Sequence, residues 1–322
     1  LMQDTEENTK LLLDYWGEKM MVRDTAISTI GSTAGLYGNA LGRMGVPLRA
    51  ETLNNGLSVA RGSSLILMRH GKVSAVHSGA EGGYQIMPIT ALLDTSINAL
   101  SNSFGDIEFR EGFNSHGFTS ALWALPDSQG EILDIYADAI SGISNRNFGI
   151  TMMPAVRFVT SDTANACACL TPVFLYKGLE YRFVDGLSVK HSKRFTLGGK
   201  SGLEAFELGS KDIFAQFKAC AEVISKLANT TVYNGCNCVI SLCKRYNIPK
   251  KYGEAARLYA ERFTQGGRSI SAHDLYLCMA ECVAEAKRLG AGYLQVANLQ
   301  EAVAKIVNAD WAAHDVGGTV AW

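Results

Sequence analysis

The chain lacks a hydrophobic run of the roughly 18 to 20 residues that a membrane-spanning helix requires. We also expect no signal peptide, because Leu1 to Lys10 is acidic and polar where a secreted protein has a positive segment followed by an apolar one. We therefore expect a protein that is neither exported nor embedded in a membrane. The cytoplasm is its expected location.

No excess charge of one sign runs through the chain. Lys and Arg number 30, Asp and Glu number 31, and the formal net charge is -1, which excludes the overall positive field of a small basic DNA-binding domain. A polyanion site therefore has to be a local patch. Hydrophobic residues make up 47% of the chain and charged residues 19%, which excludes disorder as the main state and allows a full-sized core.

The cysteines lack the spacing of a metal site or of a disulfide framework. One residue separates Cys236 from Cys238, and Cys278 and Cys282 lie one turn apart on a predicted helix without a matching pair. We interpret the cysteines as reduced, buried thiols and predict no metal. The eight are Cys167, Cys169, Cys220, Cys236, Cys238, Cys243, Cys278 and Cys282.

Catalytic signatures are missing as well. The chain has no Gly-x-Ser-x-Gly elbow, no His-Glu-x-x-His helix, no Walker loop and no dinucleotide-binding glycine motif after a strand. This favours a protein without enzymatic activity or a cofactor. One alternative stays open, a hydrolase whose metal or acid pair does not show in the spacing. Its cluster would be Asp134, Asp138, Asp162 and His191.

Strand and helix patterns are present in the first two thirds of the chain. Ile89 to Phe104 carries an apolar stripe at helical spacing and predicts an amphipathic helix. Around it, short alternating runs separated by turn residues predict β-hairpins. The expected fold class is α+β, an antiparallel meander sheet with a crossing helix. The predicted strands are Ser64 to Arg69, Lys72 to His77, Asp106 to Arg110, Phe118 to Leu125, Glu131 to Ile140 and Ile150 to Thr160.

After Gly202 the hydrophobic period changes to that of helices. Ser271-Ala-His-Asp274 resembles a capping box at the start of one of them, with Asp in the position of Glu. We divide the chain into an N-terminal helix (Thr5 to Met21) with a Gly-rich segment (1–56), an α+β core (57–202) and a mainly helical C-terminal third (203–322). The predicted C-terminal helices are 203–232, 234–246, 250–263, 272–289 and 294–309.

One segment, Lys177 to Lys200, combines cations and aromatic rings with only Glu180 and Asp185 of opposite charge. Phosphates pair with Lys and Arg while bases stack on rings, so such a track suits single-stranded nucleic acid. The alternative is a solvated hairpin whose rings face the core. The rings are Tyr176, Tyr181, Phe183 and Phe195. The candidate nucleic-acid-binding residues are Arg157, Lys177, Arg182, Lys190, His191, Lys193 and Arg194.

Arg157 belongs to this set because of the residues that follow it. The hydroxyls of Thr160, Ser161 and Thr163 lie where a strand is predicted to end and a helix to begin, and together with free backbone N–H groups they suit a phosphate. Plain capping by Ser161 or Asp162 is the alternative. The charge of Asp162 favours capping, because a carboxylate opposes an anion.

The order of several motifs resembles a family of proteins of unknown function that phages and plasmids carry. The resemblance covers roughly residues 57 to 290 and includes a closing helix with Asp274-Leu-Tyr276. The family's usual Cys-Gln-Asn-Thr run is Thr160-Ser-Asp-Thr163 in this chain, and its Ser-His-Asp-Gly-Ser turn is Ser144-Asn-Arg-Asn147, so no site made of those side chains is transferred. The motifs are the hairpin Leu65 to Val76, Tyr-x-x-x-Pro leading into a helix (Tyr84 to Leu100), Ser144-Asn-Arg-Asn147, Arg-x-Val-x-x-x-Thr (Arg157 to Thr163) and Lys190-His-Ser192.

The resemblance implies a setting in bacterial mobile elements, without a mechanism. A helix across an antiparallel meander also resembles, at the level of the fold, the Rad52-like single-strand annealing proteins of phages. We therefore expect a homo-oligomeric protein of a phage or plasmid that binds single-stranded nucleic acid and assists annealing, recombination or replication. The rival expectation is a protein-binding or self-assembling protein, such as a host-defence inhibitor, that uses an apolar face of the helical third.

Overall fold

The computed structural model describes residues 27–29, 63–69, 72–78, 85, 87, 89–115, 118–126, 129–141, 152–161 and 166–322. The predicted helix Thr5 to Met21 and the turn Ser144 to Asn147 lie outside these ranges. Every strand pairing in the described residues is antiparallel, and the C-terminal part is mainly helical. The predicted α+β fold class is therefore confirmed.

A three-stranded antiparallel sheet comes first in the chain. It consists of β1 (Ile27–Thr29), β2 (Ser63–Arg69) and β3 (Lys72–Ser78), in that order. β2 and β3 are the two arms of the hairpin that the sequence predicted from Ser64 to His77. That hairpin is confirmed.

A six-stranded antiparallel sheet follows. Its strands are β4 (Glu108–Ser115), β5 (Phe118–Ala124), β6 (Met153–Thr160), β7 (Ala168–Tyr176), β8 (Leu179–Tyr181) and β9 (Leu187–Val189). The first four form the predicted meander, and β8 and β9 both pair with the remaining edge of β7, near opposite ends of that strand. The sequence predicted a helix start after Thr160, but the next element that the structure describes is strand β7. Residues 162–165 lie outside the described ranges.

The loop between β8 and β9 approaches β7 closely at Gly186. The φ angle of Gly186 is +73°, and a Cβ atom there would lie 2.4 Å from the carbonyl oxygen of Leu170. Only glycine tolerates both the angle and the approach. The loop can therefore return to the sheet edge, so that β9 follows β8 along β7.

The six-stranded sheet has two different faces, because successive side chains of a strand point to opposite sides. On the first face Trp123, Phe158 and Phe174 are buried in the main core. On the second face Arg157 of β6 lies beside Leu122 of β5 and Thr171 of β7. The second face therefore mixes charged, polar and apolar groups, and this face carries the candidate site described below.

Two helices lie in the described part of the chain before residue 200. The predicted helix is confirmed as α1 (Ile89–Phe104). The strand predicted from Glu131 to Ile140 is wrong, because these residues form helix α2 (Gln129–Ala139). Ile132, Tyr136 and Ile140 are buried and recur every four residues, which places them on one face of a helix.

The residues after Gly202 form helices, as the sequence predicts. The predicted helix 203–232 is interrupted at Lys211 and Asp212, and the predicted helix 272–289 is interrupted at Ala280. The helices are α3 (Gly202–Ser210), α4 (Ile213–Ala228), α5 (Gly235–Arg245), α6 (Lys250–Thr264), α7 (Ala272–Met279), α8 (Glu281–Arg288), α9 (Tyr293–Lys305) and α10 (Trp311–His314), with a 3-10 turn at Ile306–Asn308 and a small strand pair of β10 (Thr231–Val232) and β11 (Ile270–Ser271). No helix in the described residues is both long enough and apolar enough to cross a membrane.

The start of α7 combines a cap with a buried polar chain. The Asp274 backbone N–H donates to Ser271 Oγ at 3.0 Å, which confirms the predicted N-terminal cap. Asp274 Oδ1 lies 3.1 Å from His273 Nδ1, and His273 Nε2 lies 2.7 Å from the Tyr136 hydroxyl on α2. All three side chains are buried, so this chain of hydrogen bonds joins α7 to α2 inside the core.

Asp315 holds the start of α5. Its carboxylate accepts the backbone N–H groups of Tyr233 at 2.8 Å and Asn234 at 2.7 Å, and it also accepts the Asn234 side-chain amide at 2.9 Å. Partial burial alone would raise the pKa of Asp315, but these hydrogen bonds outweigh burial and lower it. The carboxylate thus satisfies N–H groups ahead of the first turn of α5, as a capping side chain does.

We expect Asp315→Asn to destabilise the fold by about 1 kcal/mol at pH 6. Because the pKa of Asp315 is lowered on folding, its stabilisation is complete above the unfolded-state pKa of about 4 and is lost as the pH falls through the folded-state value. The difference between wild type and variant should therefore shrink below about pH 4. Urea unfolding between pH 6 and pH 3 measures it. Glu222→Gln, an exposed carboxylate on α4, is the control, and a difference independent of pH would contradict the prediction.

Candidate functional site

Arg157 is buried on the second face of the sheet, with only 12% of its side chain exposed. Its guanidinium donates to both carboxylate oxygens of Glu180, to Ser120 Oγ at 3.1 Å and to Glu111 Oε1 at 2.6 Å. Burial alone would lower the pKa of Arg157, but the charge and hydrogen bonds of Glu180 and the hydrogen bond to Glu111 outweigh burial and raise it. The positive charge of Arg157 is therefore neutralised inside the protein.

Arg182, in the loop between β8 and β9, is also paired. Its Nη1 donates to Glu301 Oε1 at 2.5 Å, its Nη2 to Asp185 Oδ1 at 3.1 Å and its Nε to the Val184 carbonyl at 3.3 Å. Its side chain is 22% exposed, and Glu301 lies on α9. Arg182 therefore ties the sheet to α9 and keeps two N–H donors without a partner among the described residues.

Both arginines line one cleft of about 390 Å³ between the second face of the sheet and α9. Gln300 Nε2 donates to Glu180 Oε1 at 3.2 Å, and the Tyr293 ring stacks on Phe113 with centroids 3.8 Å apart. These contacts fix α9 over the sheet. We call this space the sheet cleft. Besides the arginines and their carboxylate partners Glu180 and Glu301, its lining includes Ser120, Val159, Cys167, Cys169, Thr171, Val173, Ser188, Ala297, Asn298 and Ala304.

Two half-buried thiols, Cys167 and Cys169, lie on the sheet side of this cleft. The Cys169 thiol donates to Ser188 Oγ at 3.5 Å. Burial raises the pKa of the Cys169 thiol to about 11, although the hydrogen bond to Ser188 opposes the rise. The thiol is therefore protonated at neutral pH and unsuited to act as a nucleophile, for which the thiolate is needed.

The residues that follow β9 form a turn, which we call the basic turn (Lys190–Arg194). The Ser192 N–H donates to the Lys190 carbonyl at 2.7 Å, and the Arg194 N–H donates to Ser192 Oγ at 3.3 Å. Lys190, Lys193 and Arg194 are exposed, and no carboxylate in the described residues forms an ion pair with any of them. Their charges are therefore available to an external anion.

His191 is the buried member of the basic turn. It is 8% exposed, its Nε2 lies 3.4 Å from Thr160 Oγ1 at the end of β6, and its carbonyl accepts the Gln85 N–H at 3.2 Å. His191 thus supports the turn from inside and does not present a charge to solvent. Three segments that are distant in the sequence meet at this residue.

The rest of the predicted basic track is dispersed. Lys177 is exposed in the turn between β7 and β8, whereas β9 pairs at the other end of the nine-residue β7, about 27 Å away at strand geometry. Tyr181 and Phe183 are buried in the core, so they cannot stack on bases. These two rings follow the hairpin alternative, in which the rings face the core, and Tyr176 and Phe195 are half-buried against the same core.

The structure therefore divides the seven predicted site residues into separate places. It brings Arg157 and Arg182 together in the sheet cleft, and it brings Lys190, Lys193 and Arg194 together around His191, while Lys177 stands apart. Sequence reasoning missed Glu180 and Glu301 as partners of the arginines. A signal for Glu180 was its place between Leu179 and Tyr181 in a short strand, which points its carboxylate to the face opposite the core.

The structure describes only part of the acidic cluster that the hydrolase alternative requires. Asp134 and Asp138 are exposed on α2, and Asp162 lies outside the described ranges. In the part of the chain that the structure describes, no three or more His, Cys, Asp or Glu side chains come close enough to hold a metal ion.

Comparison with known proteins gives no relative of this chain. No protein-family model, no curated protein and no solved structure matches it. Function has to be inferred from the arrangement of its own residues.

Proposed function

We propose that the protein binds single-stranded nucleic acid through the basic turn, as a non-enzymatic protein of a phage or plasmid. The observation that supports this is the contrast between the arginines in the sheet cleft and the cations of the turn. Arg157 and Arg182 are neutralised by carboxylates, whereas Lys190, Lys193 and Arg194 are exposed without such a partner in the described residues. Unpaired exposed cations that lie together are what phosphate groups bind.

The form of the turn supports a flexible, extended ligand more than a compact anion. The Ser192 N–H and the Ser192 hydroxyl close the turn through hydrogen bonds to Lys190 and Arg194, and the exposed ammonium and guanidinium groups take no part in them, so these groups are available to successive phosphates. A single inorganic phosphate would use only part of this charge. A nucleic-acid strand offers one phosphate per nucleotide and uses all of it.

The role within a mobile element belongs to the same proposal. The resemblance to the phage and plasmid family suggests the setting in a mobile element, and the fold-level resemblance to Rad52-like proteins suggests assistance to annealing, recombination or replication. Assembly into a homo-oligomer would repeat the three cations along a strand. Each added copy then multiplies the phosphate contacts, so weak single sites combine into stable binding.

A salt titration tests the proposal directly. We expect the protein to bind a fluorescent single strand and an unlabelled strand to compete for the same site. The logarithm of the affinity should fall with the logarithm of the salt concentration at a slope of about -2, because three phosphate contacts contribute roughly 0.7 each. Between 0.05 and 0.2 M salt the affinity should then fall about twentyfold. Fluorescence anisotropy measures this. Absence of binding, or binding that does not respond to salt, contradicts the proposal, and the first outcome is the one expected of a protein-interaction surface.

A further inference from the structure

We propose that the sheet cleft is the base pocket of the same site, so that a nucleobase of the bound strand enters the cleft while its neighbouring phosphates lie on the basic turn. This inference rests on the proposed function and adds to it the part of the nucleic acid that the cleft recognises. It assigns a ligand class, the uncharged heteroaromatic base, to a cavity that the basic turn alone does not explain.

The sheet cleft and the basic turn are adjacent in the sheet. Ser188 of β9 is exposed, lines the cleft and pairs with Cys169 of β7. The pairing ends at the next pair, Val189 and Ala168, so the basic turn begins at Lys190 directly after it, and Cys167, which precedes Ala168, also lines the cleft. Lys190 therefore follows Ser188 by two residues, about 7 Å along the chain. That distance is comparable to the spacing of consecutive phosphates in an extended strand.

The charges of the cleft select against an anion and permit a neutral ligand. Arg157 is matched by Glu180 and Glu111, and Arg182 is matched by Glu301 and Asp185. A phosphate placed inside would meet arginines whose charges the carboxylates already neutralise, so no uncompensated positive charge would offset its desolvation. A base carries no charge and avoids this cost.

The hydrogen-bonding groups of the cleft suit the edge of a base. Arg182 retains two N–H donors, and Asn298, which is exposed at the mouth on α9, offers both a donor and an acceptor. Ring nitrogens, carbonyl oxygens and amino groups of bases are complementary to such a set. These contacts match the hydrogen-bonding edge of a base in general and do not select a particular sequence.

The shape of the cleft is also consistent with a planar ligand. The sheet side contributes Val159 and Val173, and the helix side contributes Ala297 and Ala304, so small apolar groups face each other across the space. The volume of about 390 Å³ lies in the range of small-molecule pockets. A flat ring between such walls gains apolar contact on both of its faces.

The test fills the cleft and compares strands with and without bases. Ala297→Trp places a ring in the cleft from α9, and Asn298→Trp does so from its exposed mouth and serves if the first variant folds poorly. Leu294→Trp is the matched control, because Leu294 is 51% exposed on the same helix and does not line the cleft. The probes are oligo(dT) and an abasic deoxyribose-phosphate oligomer of the same length.

We expect both cleft variants to weaken oligo(dT) binding by about tenfold, since a bound base contributes stacking of that order. The abasic strand should bind the wild type about tenfold more weakly and show no further loss in the variants, with the same salt slope for both strands. Equal affinity of the two strands, unchanged by either variant, overturns the base pocket and leaves the proposed function standing. Binding of neither strand to the wild type overturns the proposed function itself.

Discussion

Replacing Glu180 with glutamine should lower the free energy of unfolding by about 3 kcal/mol. Glu180 accepts two hydrogen bonds from Arg157 and one from Gln300, and its side chain and that of Arg157 are each only 12% exposed. Glutamine keeps the shape but removes the charge, so a buried guanidinium is left with Glu111 alone. A buried charge that loses its main partner is costly because little water reaches it. Urea unfolding followed by circular dichroism measures the loss.

The matched control for this change is Glu301→Gln. Glu301 pairs with Arg182 in the same cleft, but its side chain is 57% exposed. Water replaces the lost interaction there, and the expected cost is below about 1 kcal/mol. The double variant Arg157→Met with Glu180→Leu removes both charges and should recover much of the stability lost by Glu180→Gln. A cost for Glu180→Gln no greater than that for Glu301→Gln would show that burial does not govern this pair.

The fold was predictable where the hydrophobic period was unambiguous. The stripe of α1 and the helices after Gly202 fit only one period, and the turn residues around β2 and β3 fix a hairpin. α2 was not predictable in this way, because Ile132 and Tyr136 satisfy a spacing of four as well as an alternation, while Asp134 and Asp138 are exposed under both. A short segment with few apolar residues does not distinguish a strand from a helix by periodicity alone.

The candidate site was predictable only in its local part. Lys190, Lys193 and Arg194 are neighbours in the sequence, so their proximity follows from chain connectivity. The pairing of Arg157 with Glu180 spans 23 residues, and that of Arg182 with Glu301 spans 119. Such partners depend on strand register and on where α9 crosses the sheet. The composition of the segment therefore identified the arginines as cations, but it did not show which of them are neutralised by a carboxylate elsewhere in the chain.

Changing Lys190, Lys193 and Arg194 together to alanine should remove most of the salt dependence of single-strand binding. Each phosphate contact contributes roughly 0.7 to the salt slope on single strands, so the slope should fall by about two and the affinity at low salt with it. In a strand, Lys193 would point to the face opposite Lys190 and Arg194, because successive side chains alternate. β9 ends at Val189, so the three side chains lie in a turn and are not separated in this way. All three are exposed, and each can meet a phosphate. Fluorescence anisotropy at several salt concentrations measures the slope.

The fold should survive this triple change, because none of the three side chains is buried and the turn is closed by backbone and Ser192 hydrogen bonds. The matched control replaces Lys226, Lys244 and Arg245, again two lysines and an arginine, which are exposed on α4 and α5. Both variants change the net charge by the same amount, so a general electrostatic effect would weaken binding equally in the two. A loss confined to the basic turn supports a local phosphate site there. An unchanged slope in the basic-turn variant would exclude this segment, since no phosphate contact can be lost without a change in counterion release.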